Sequence, residues 1–172
     1  TCLPYFLEGK MMFAIDKRDL RAEEAIVFVL QTHFQAQRHQ ASPVGDKTYD
    51  VKLWLPHGGE LYCEIKVDRA SAHTGNAFFE IRNTSLDTSS GLVATRASVW
   101  AHYLPKQGIL LLVDPKALLW WLATHMRTTP RFNIRLSGTQ CGDENAQGYI
   151  VPLSVLLARQ WIGQIPCAIP ID

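Results

Sequence analysis

The sequence predicts a mixed α/β layer fold, because helical and strand patterns alternate along a single chain of 172 residues. A chain of this length builds one sizeable core but not two comfortable ones. Hydrophobic residues make up 47% and charged residues 19% of the sequence, which is ordinary globular usage and argues against disorder. The apolar runs AIVFVL and GILLLV have the length of core elements and are too short to span a membrane. We therefore expect one soluble domain.

The first half of the chain predicts one helix followed by strands. Apolar residues recur at helical spacing from Asp16 to about Gln37, which indicates the first helix. Residues 49–55 and 60–67 both alternate apolar and charged side chains around a turn with two glycines, which is typical of a β-hairpin. The segment NAFFEIR at residues 76–82 indicates a third strand.

The second half of the chain predicts further helices and strands. A helix is expected from about Val93 to Leu104, where Trp100 and Tyr103 punctuate an apolar face and Pro105 ends it. The remaining predicted elements are a buried strand in GILLLVD, a helix from Lys116 to Met126, strands in RFNIRLSG and GYIVPL, and a last helix in SVLLARQWI.

Net charge and cysteine content narrow the function classes only slightly. A net charge of +1 neither supports nor forbids nucleic acid as a partner, since a local basic face decides that. The four cysteines lack the spacing of a zinc site or a disulfide framework, so we expect reduced thiols in a cytosol. Residues 1–12 are interpreted as a processed leader or a cloning remnant, and the domain is expected over residues 13–172.

The predicted hairpin places four charged side chains on one face. If residues 57–59 form the loop, Lys52 lies opposite Glu64 and Asp50 lies opposite Lys66. The other face then carries apolar side chains that can pack against a helix. A slip of one residue would move one strand's charges into that apolar layer, so the pattern itself favours this register.

Glu23 is predicted at the centre of the apolar stripe of the first helix, where a carboxylate is out of place. Moving an unpaired charge into a protein interior costs several kcal/mol, so this carboxylate needs a cation or a proton nearby. Glu24 lies at the edge of the same stripe and is the substitute for this role.

These residues together predict an oxygen-ligand site for a divalent cation. Asp50, Glu64 and the backbone carbonyl of Ile65 would be the ligands, and Mg²⁺ fits best because it is hard and is usually completed by water and substrate phosphate. Mn²⁺ is the expected substitute. Glu23 would act through water, while Lys66 would orient or activate the attacking water and stabilise charge on the phosphate.

The same residues resemble the motif of the PD-(D/E)xK nuclease superfamily, an Asp near the end of one strand and Glu-x-Lys on the next. Here these are Asp50 in YDVKL and Glu64 with Lys66 in CEIKV. Residues 20–68 are similar to archaeal-type Holliday-junction resolvases and related phage nucleases, which carry a Glu in an AE start to the first helix. Glu23 occupies that place.

The resemblance implies a restriction-endonuclease-like fold with a central mixed β-sheet flanked by helices, and metal-dependent hydrolysis of phosphodiester bonds in DNA. The protein would act in the cytoplasm, or in the host cytoplasm if it is phage-encoded. Two features depart from the family. Tyr49 precedes the Asp where a proline is expected, and the segment 69–91 is unlike the short resolvases, which puts junction specificity in doubt.

Several alternatives stay open at this point. The charged hairpin face is also compatible with a solvated edge hairpin, and the chain with a DNA-binding or assembly subunit without catalysis or with a sequence-specific restriction-type nuclease. Asp68 and Glu80 are interpreted as exposed charges at strand ends rather than further ligands. A homodimer is expected from the apolar helix KALLWWLATHM. The basic residues predicted to form a phosphate-binding rim are Arg18, Arg21, Arg38, Lys47, Lys52, Arg69, Arg82 and Arg96.

Overall fold

The computed structural model describes residues 5–7, 10–12, 17–44, 46, 48–129, 132–137 and 145–169, with side chains from residue 21 onward. Within these ranges the chain forms a six-stranded sheet, a four-stranded sheet and a separate pair of short strands, β1 (Tyr5–Leu7) and β2 (Lys10–Met12). Helices flank the six-stranded sheet. The predicted mixed α/β architecture with a central mixed sheet is thus confirmed.

The central sheet consists, in spatial order, of β12 (Gly163–Pro166), β9 (Ile109–Val113), β8 (Val99–Leu104), β5 (Glu60–Val67), β4 (Val51–Trp54) and β3 (Arg38–Ala41). Strands β5 and β8 run parallel, and every other neighbouring pair is antiparallel. The sheet is therefore mixed, and β5 and β8 lie at its centre.

Helix α1 (Lys17–Phe34) covers one face of the central sheet. Its fully buried residues Ala22, Ile26 and Leu30 recur at i, i+4 and i+8, as a helix needs to present one apolar stripe. The sheet contributes the alternating apolar residues that the hairpin pattern predicted. The buried residues of this layer are Ile26, Leu30, Val51, Leu53, Cys63, Ile65, Ala101, Tyr103 and Leu110.

A second sheet and two helices cover the other face. The sheet consists of β10 (Arg135–Ser137), β11 (Ala146–Pro152), β6 (Asn76–Asn83) and β7 (Thr88–Ser89), and the helices are α4 (Pro115–Thr128) and α5 (Leu153–Leu157). Trp100, Leu104 and Leu111 of the central sheet pack there against Phe79 and Leu122, among other apolar residues.

Helix α4 confirms the predicted helix after GILLLVD. Asp114 caps its start, because the carboxylate accepts hydrogen bonds from the backbone N–H groups of Lys116 and Ala117. Its apolar residues Trp121 and Leu122 are buried in the chain's own core. Among the large apolar residues of this helix, Trp120 is the exposed one, at 68%. This apolar face is therefore not free to bury against a second copy, and the homodimer stays a prediction without that support.

The helix predicted at residues 93–104 is wrong. Only the short α3 (Gly91–Ala94) forms, and β8 follows it. Both faces of β8 are buried, so the strand shows no alternation of apolar and polar residues, and its apolar run fits a helix equally well. The aromatic and β-branched residues of this stretch are the strand formers that the helical reading overlooked.

Both edge strands of the central sheet, β3 and β12, were also missed. All residues of β3 are exposed, so the strand carries no hydrophobic signal. Strand β12 ends at Pro166, which is tolerated because the strand lies at the sheet edge. The predicted last helix shrinks to α5, and β12 takes the chain beyond it.

Two further observations concern compartment and redox state. None of the helices in the described ranges is long and apolar enough to cross a membrane. Cys63 and Cys167 are free thiols. Burial, with the nearby charge of Asp50, raises the pKa of Cys63 to about 12, so this thiol stays protonated and acts as a small apolar core residue.

Candidate active site

The hairpin of β4 and β5 pairs in a register that differs by two residues from the predicted one. Val51 lies opposite Cys63, and Asp50 directly precedes this strand pair. The N–H of Asp50 donates to the carbonyl of Cys63 at 2.9 Å, and its carboxylate accepts from the N–H of Ile65, so Asp50 lies beside residues 63–65 rather than opposite Lys66. The charge of Asp50 is close enough to Glu64 to raise the pKa of that carboxyl.

A turn displaced by one residue is the physical cause of the shift. The N–H of Leu55 donates to the carbonyl of Gly59 at 2.8 Å, so this pair closes the hairpin and residues 56–58 form the turn instead of residues 57–59. Gly58 takes a positive φ of 84°, which its lack of a Cβ permits. Because the shift is an even number of residues, every side chain stays on its predicted face.

Lys52 lies outside the site, contrary to its predicted place opposite Glu64. It lies opposite Tyr62, and its ammonium is 3.1 Å from Oε1 of Glu60. The ammonium also lies over the ring of Trp54, which Arg38 contacts at 4.0 Å. These cations and aromatic rings form a separate strip along the edge of the central sheet.

Asp50 is fixed at the point where β4 begins. Its Oδ2 accepts a hydrogen bond from the backbone N–H of Ile65 at 2.6 Å. Because β4 begins only at Val51, this side-chain bond replaces a backbone bond between the two strands. In a strand the N–H and C=O of one residue point to the same side. The carbonyl of Ile65 therefore points to the side of β5 that Asp50 occupies, as its predicted role as a third ligand requires.

Glu64 is buried, with 6% of its surface exposed, and its Oε1 lies 2.8 Å from Nζ of Lys66. Burial raises the pKa of Glu64, and the neighbouring negative charge of Asp50 raises it further, while Lys66 and the Thr95 hydroxyl oppose the shift. The ionised carboxylate is therefore held in an unfavourable place, and a bound divalent cation would relieve it.

Lys66 carries a positive charge at neutral pH. Burial alone would lower its pKa, but the carboxylates of Glu64, Asp50 and Glu80 outweigh that effect and raise it. The side chain still keeps 42% of its surface exposed, because it forms part of the wall of an open cleft. A charged ammonium at this place can stabilise negative charge but cannot accept a proton from water.

The cleft has a volume of about 670 Å³ and lies between the carboxyl end of β5 and the second sheet. Glu23 lines it together with Lys66 and Glu80, while Glu24 is exposed and does not. The sequence placed Glu23 at the centre of the helical stripe, but it lies at the flank, one residue past the buried Ala22. The flank position lets the side chain reach the cleft at the side of β5.

A hydrogen-bonded network occupies the inner part of the cleft. Asp68 accepts from the backbone N–H of Ser71 at 2.8 Å and from that of Phe78 at 3.1 Å, and its Oδ2 lies 3.1 Å from Nε2 of His102. The indole N–H of Trp100 donates to Nδ1 of His102 at 3.3 Å. The imidazole therefore holds its hydrogen on Nε2 and donates it to Asp68.

Burial would raise the pKa of Asp68, but the hydrogen bonds from His102, its charge interaction with that ring and the two backbone N–H groups lower it. The prediction that Asp68 is an exposed charge at a strand end is thus wrong. Glu80 is half-buried and accepts a hydrogen bond from the Ser90 hydroxyl.

Sequence reasoning missed His102 because residues 93–104 were read as a helix. Read as a strand, the same letters place Trp100, His102 and Leu104 on one face. That face is the face of Lys66, since His102 lies directly beside Lys66 in the parallel pair β5 and β8. The sequence therefore contains the alternation that places His102 beside Lys66, but the helical period assumed for this stretch concealed it.

The predicted metal site would consist of two carboxylates and a main-chain carbonyl. In the described part of the chain, no group of three or more His, Cys, Asp or Glu side chains converges on a common point. The predicted ligand set does not need one, because Asp50 and Glu64 supply two oxygen ligands and Ile65 supplies the third from its backbone. This donor set suits a hard ion that keeps several waters, such as Mg²⁺.

Comparisons of the chain with protein-family models, with curated proteins and with solved structures found no match. The resemblance to PD-(D/E)xK nucleases therefore stays a prediction that the residues of the chain alone carry. The site geometry is the basis on which function is proposed.

Proposed function

We propose that the protein is a Mg²⁺-dependent DNA endonuclease of the PD-(D/E)xK type, with a restriction-endonuclease-like fold. The observation that carries the proposal is the closeness of Asp50 to Glu64, whose pKa its charge raises, beside a charged Lys66 at 2.8 Å from the Glu64 carboxylate. A buried carboxylate, a half-buried carboxylate and an ammonium that lines a cleft match the needs of phosphodiester hydrolysis.

Each residue has a distinct role in the proposed reaction. Asp50 and Glu64 hold the ion, with the carbonyl of Ile65 as the main-chain ligand. Bound Mg²⁺ would supply Lewis-acid polarisation of the phosphate and a more acidic coordinated water. Lys66 stabilises the negative charge that develops on the phosphate oxygens and orients the attacking water. Glu23 lines the same cleft and supports the water shell of the ion.

The test is cleavage of end-labelled four-way junction, blunt duplex and single-stranded DNA, with Mg²⁺, with Mn²⁺ and with a chelator. We expect metal-dependent cleavage that Lys66→Ala reduces by about 100-fold or more, the usual cost of losing one stabiliser of transition-state charge. Rates are measured under single-turnover conditions with saturating protein, so that they report the chemical step.

Lys52→Ala is the matched control, because Lys52 is on the same face of the hairpin but pairs with Glu60. It should keep the single-turnover rate. If the wild type binds DNA but cuts nothing with either metal, the catalytic proposal fails, and a DNA-binding or assembly subunit takes its place. Cleavage at one fixed position in plain duplex would instead identify a sequence-specific restriction-type enzyme.

A further inference from the structure

We propose that the cleft beside Lys66 binds an unpaired nucleotide, so that the substrate is a DNA strand that is single-stranded at the cleavage site rather than an intact duplex. The inference rests on the proposed function for the cleavage step. The binding surface itself is argued from the second sheet, which lies outside the metal site.

A row of three side chains crosses the second sheet on the face that lines the cleft. Arg135 on β10 lies opposite Ile150 on β11, and Ile150 lies opposite Phe78 on β6. All three line the cleft together with Lys66. An aromatic ring, an aliphatic side chain and a guanidinium therefore stand side by side, facing the space next to the proposed catalytic lysine.

The position of the Phe78 ring depends on a glycine. A Cβ added at Gly148 would lie 2.7 and 2.8 Å from two carbon atoms of that ring, and 2.3 Å from the carbonyl oxygen of Phe79. Any side chain at position 148 would have to displace the ring or the strand. The Phe78 ring thus packs over the backbone of β11 at Gly148. This packing holds the ring in the wall of the cleft before any ligand binds.

The size of the cleft selects against a duplex. A volume of about 670 Å³ is in the range of sites that enclose a small molecule. Duplex DNA, whose major groove alone is about 12 Å wide, can lay its backbone across such an opening but cannot enter it. An unpaired base can enter, and bases that leave the stack commonly bind to aromatic side chains and arginine planes.

The charges of the cleft fit a base joined to a phosphate. Arg135 and Arg69 line the cleft in addition to Lys66 and are suited to phosphate oxygens. The carboxylate of Asp68 is engaged by His102 and by two backbone N–H groups, so it does not face the ligand as a bare charge. Glu23 and Glu80 lie on the Lys66 side, where the proposed metal ion would offset their charge.

The test is binding of a short fluorescent single strand and of the blunt duplex formed with its complement, measured by anisotropy with Ca²⁺ in place of Mg²⁺. We expect tighter binding of the single strand. Phe78→Ala should weaken single-strand binding by about tenfold or more through lost stacking. Phe78→Trp should restore it, whereas Phe78→Leu, which keeps the apolar volume needed for folding, should not.

Phe28→Ala is the matched control, since Phe28 is a phenylalanine with 69% of its surface exposed on α1, away from the cleft. It should leave both affinities unchanged. Arg135→Gln should reduce the slope of log affinity against log salt by about 0.7 for the single strand, as expected for one lost phosphate contact. Equal affinity for both DNAs, or a single-strand affinity that Phe78→Ala and Phe78→Leu leave intact, overturns the inference.

The two proposals fail in different ways. Phe78-dependent binding of the single strand without any cleavage in Mg²⁺ or Mn²⁺ would refute the nuclease and keep the nucleotide site. Cleavage of blunt duplex at a rate that Phe78→Ala does not change would keep the nuclease and refute the nucleotide site.

Discussion

Strand β5 carries the buried carboxylate of Glu64, the buried carboxylate of Asp68 directly follows the strand, and their surroundings differ sharply. Asp68 has three hydrogen-bond donors, two from the backbone and one from His102, and its pKa is lowered. Glu64 faces the carboxylate of Asp50 and a partly exposed Lys66, and its pKa is raised. The partners of Asp68 outweigh the effect of burial on its pKa, whereas those of Glu64 do not.

This difference distinguishes a carboxylate with a structural role, Asp68, from a candidate ligand, Glu64. The donors of Asp68 come from β6, from β8 and from the first residue of α2 (Ser71–Thr74), so its network ties the second sheet to the central one. Glu64 interacts with Lys66 of its own strand and with the Thr95 hydroxyl, and these partners do not offset the effect of burial on its pKa. A buried charge that the fold leaves poorly satisfied is a candidate for a ligand site, since perturbed groups concentrate at such sites.

The largest expected effect is on stability, at Asp68. Asp68→Asn removes the charge from a network with three donors, so we expect a loss of about 3 kcal/mol in the free energy of unfolding, as for a broken buried pair. Glu64→Gln removes a poorly satisfied charge, and we expect a change of at most about 1 kcal/mol. Urea denaturation followed by circular dichroism measures both.

Equal losses for the two variants would break the comparison, because Glu64 would then be as well satisfied as Asp68. Ser71→Ala serves as a control for local packing in the same turn. It keeps the backbone N–H that donates to Asp68 and removes only the hydroxyl, which donates to the Asp68 carbonyl at 2.6 Å. We expect it to cost less than Asp68→Asn.

The next effect is stabilisation by metal. If Glu64 and Asp50 bind the ion, Mg²⁺ or Mn²⁺ at ten times the dissociation constant raises the free energy of unfolding by about 1.4 kcal/mol, because only the folded state binds. Glu64→Gln should abolish this rise. Glu60→Gln, an exposed carboxylate on the same strand that pairs with Lys52, should retain it. Thermal unfolding with and without metal is the measurement, and equal rises in both variants would place the ion elsewhere.

The sequence predicted the site around Glu64 but missed the hydrogen-bonded network around Asp68. The charges of the hairpin interrupt an apolar alternation, so Asp50, Glu64 and Lys66 stood out, and the period of two kept them on the correct face even though the register was off by two residues. The register itself depends on the residue at which the turn begins, which two glycines allow but do not fix.

The Asp68 network could not be read in the same way. One of its donors, His102, is 34 residues away in the chain and lies in a stretch with both faces buried, where strand and helix patterns look alike. Similarly, the local pattern of β6 did not indicate that this strand would join a second sheet with β10 and β11 rather than the central sheet. Long-range pairing decided these features, and local periodicity does not encode it.

The smallest expected effect, and the one that sharpens the comparison most, is the pH dependence of stability. The folded state holds the proton of Glu64 to a higher pH than the unfolded state, whose ordinary value is 4.5. Above that value the folded state binds more protons, so the contribution of Glu64 to stability falls as pH rises through its raised pKa.

Asp68 has the opposite sign. Its folded-state pKa lies below the ordinary value of 3.8, so its contribution is fully present above that value and is lost as pH falls below it. The free energy of unfolding of the wild type minus that of Glu64→Gln should therefore decline with rising pH above 4.5. The same difference against Asp68→Asn should decline with falling pH below 3.8. Both differences come from urea titrations across pH in metal-free buffer, because bound metal would hold Glu64 ionised. Slopes of the same sign would mean that the fold satisfies both carboxylates, and Glu64 would lose its distinction as the carboxylate that needs a ligand.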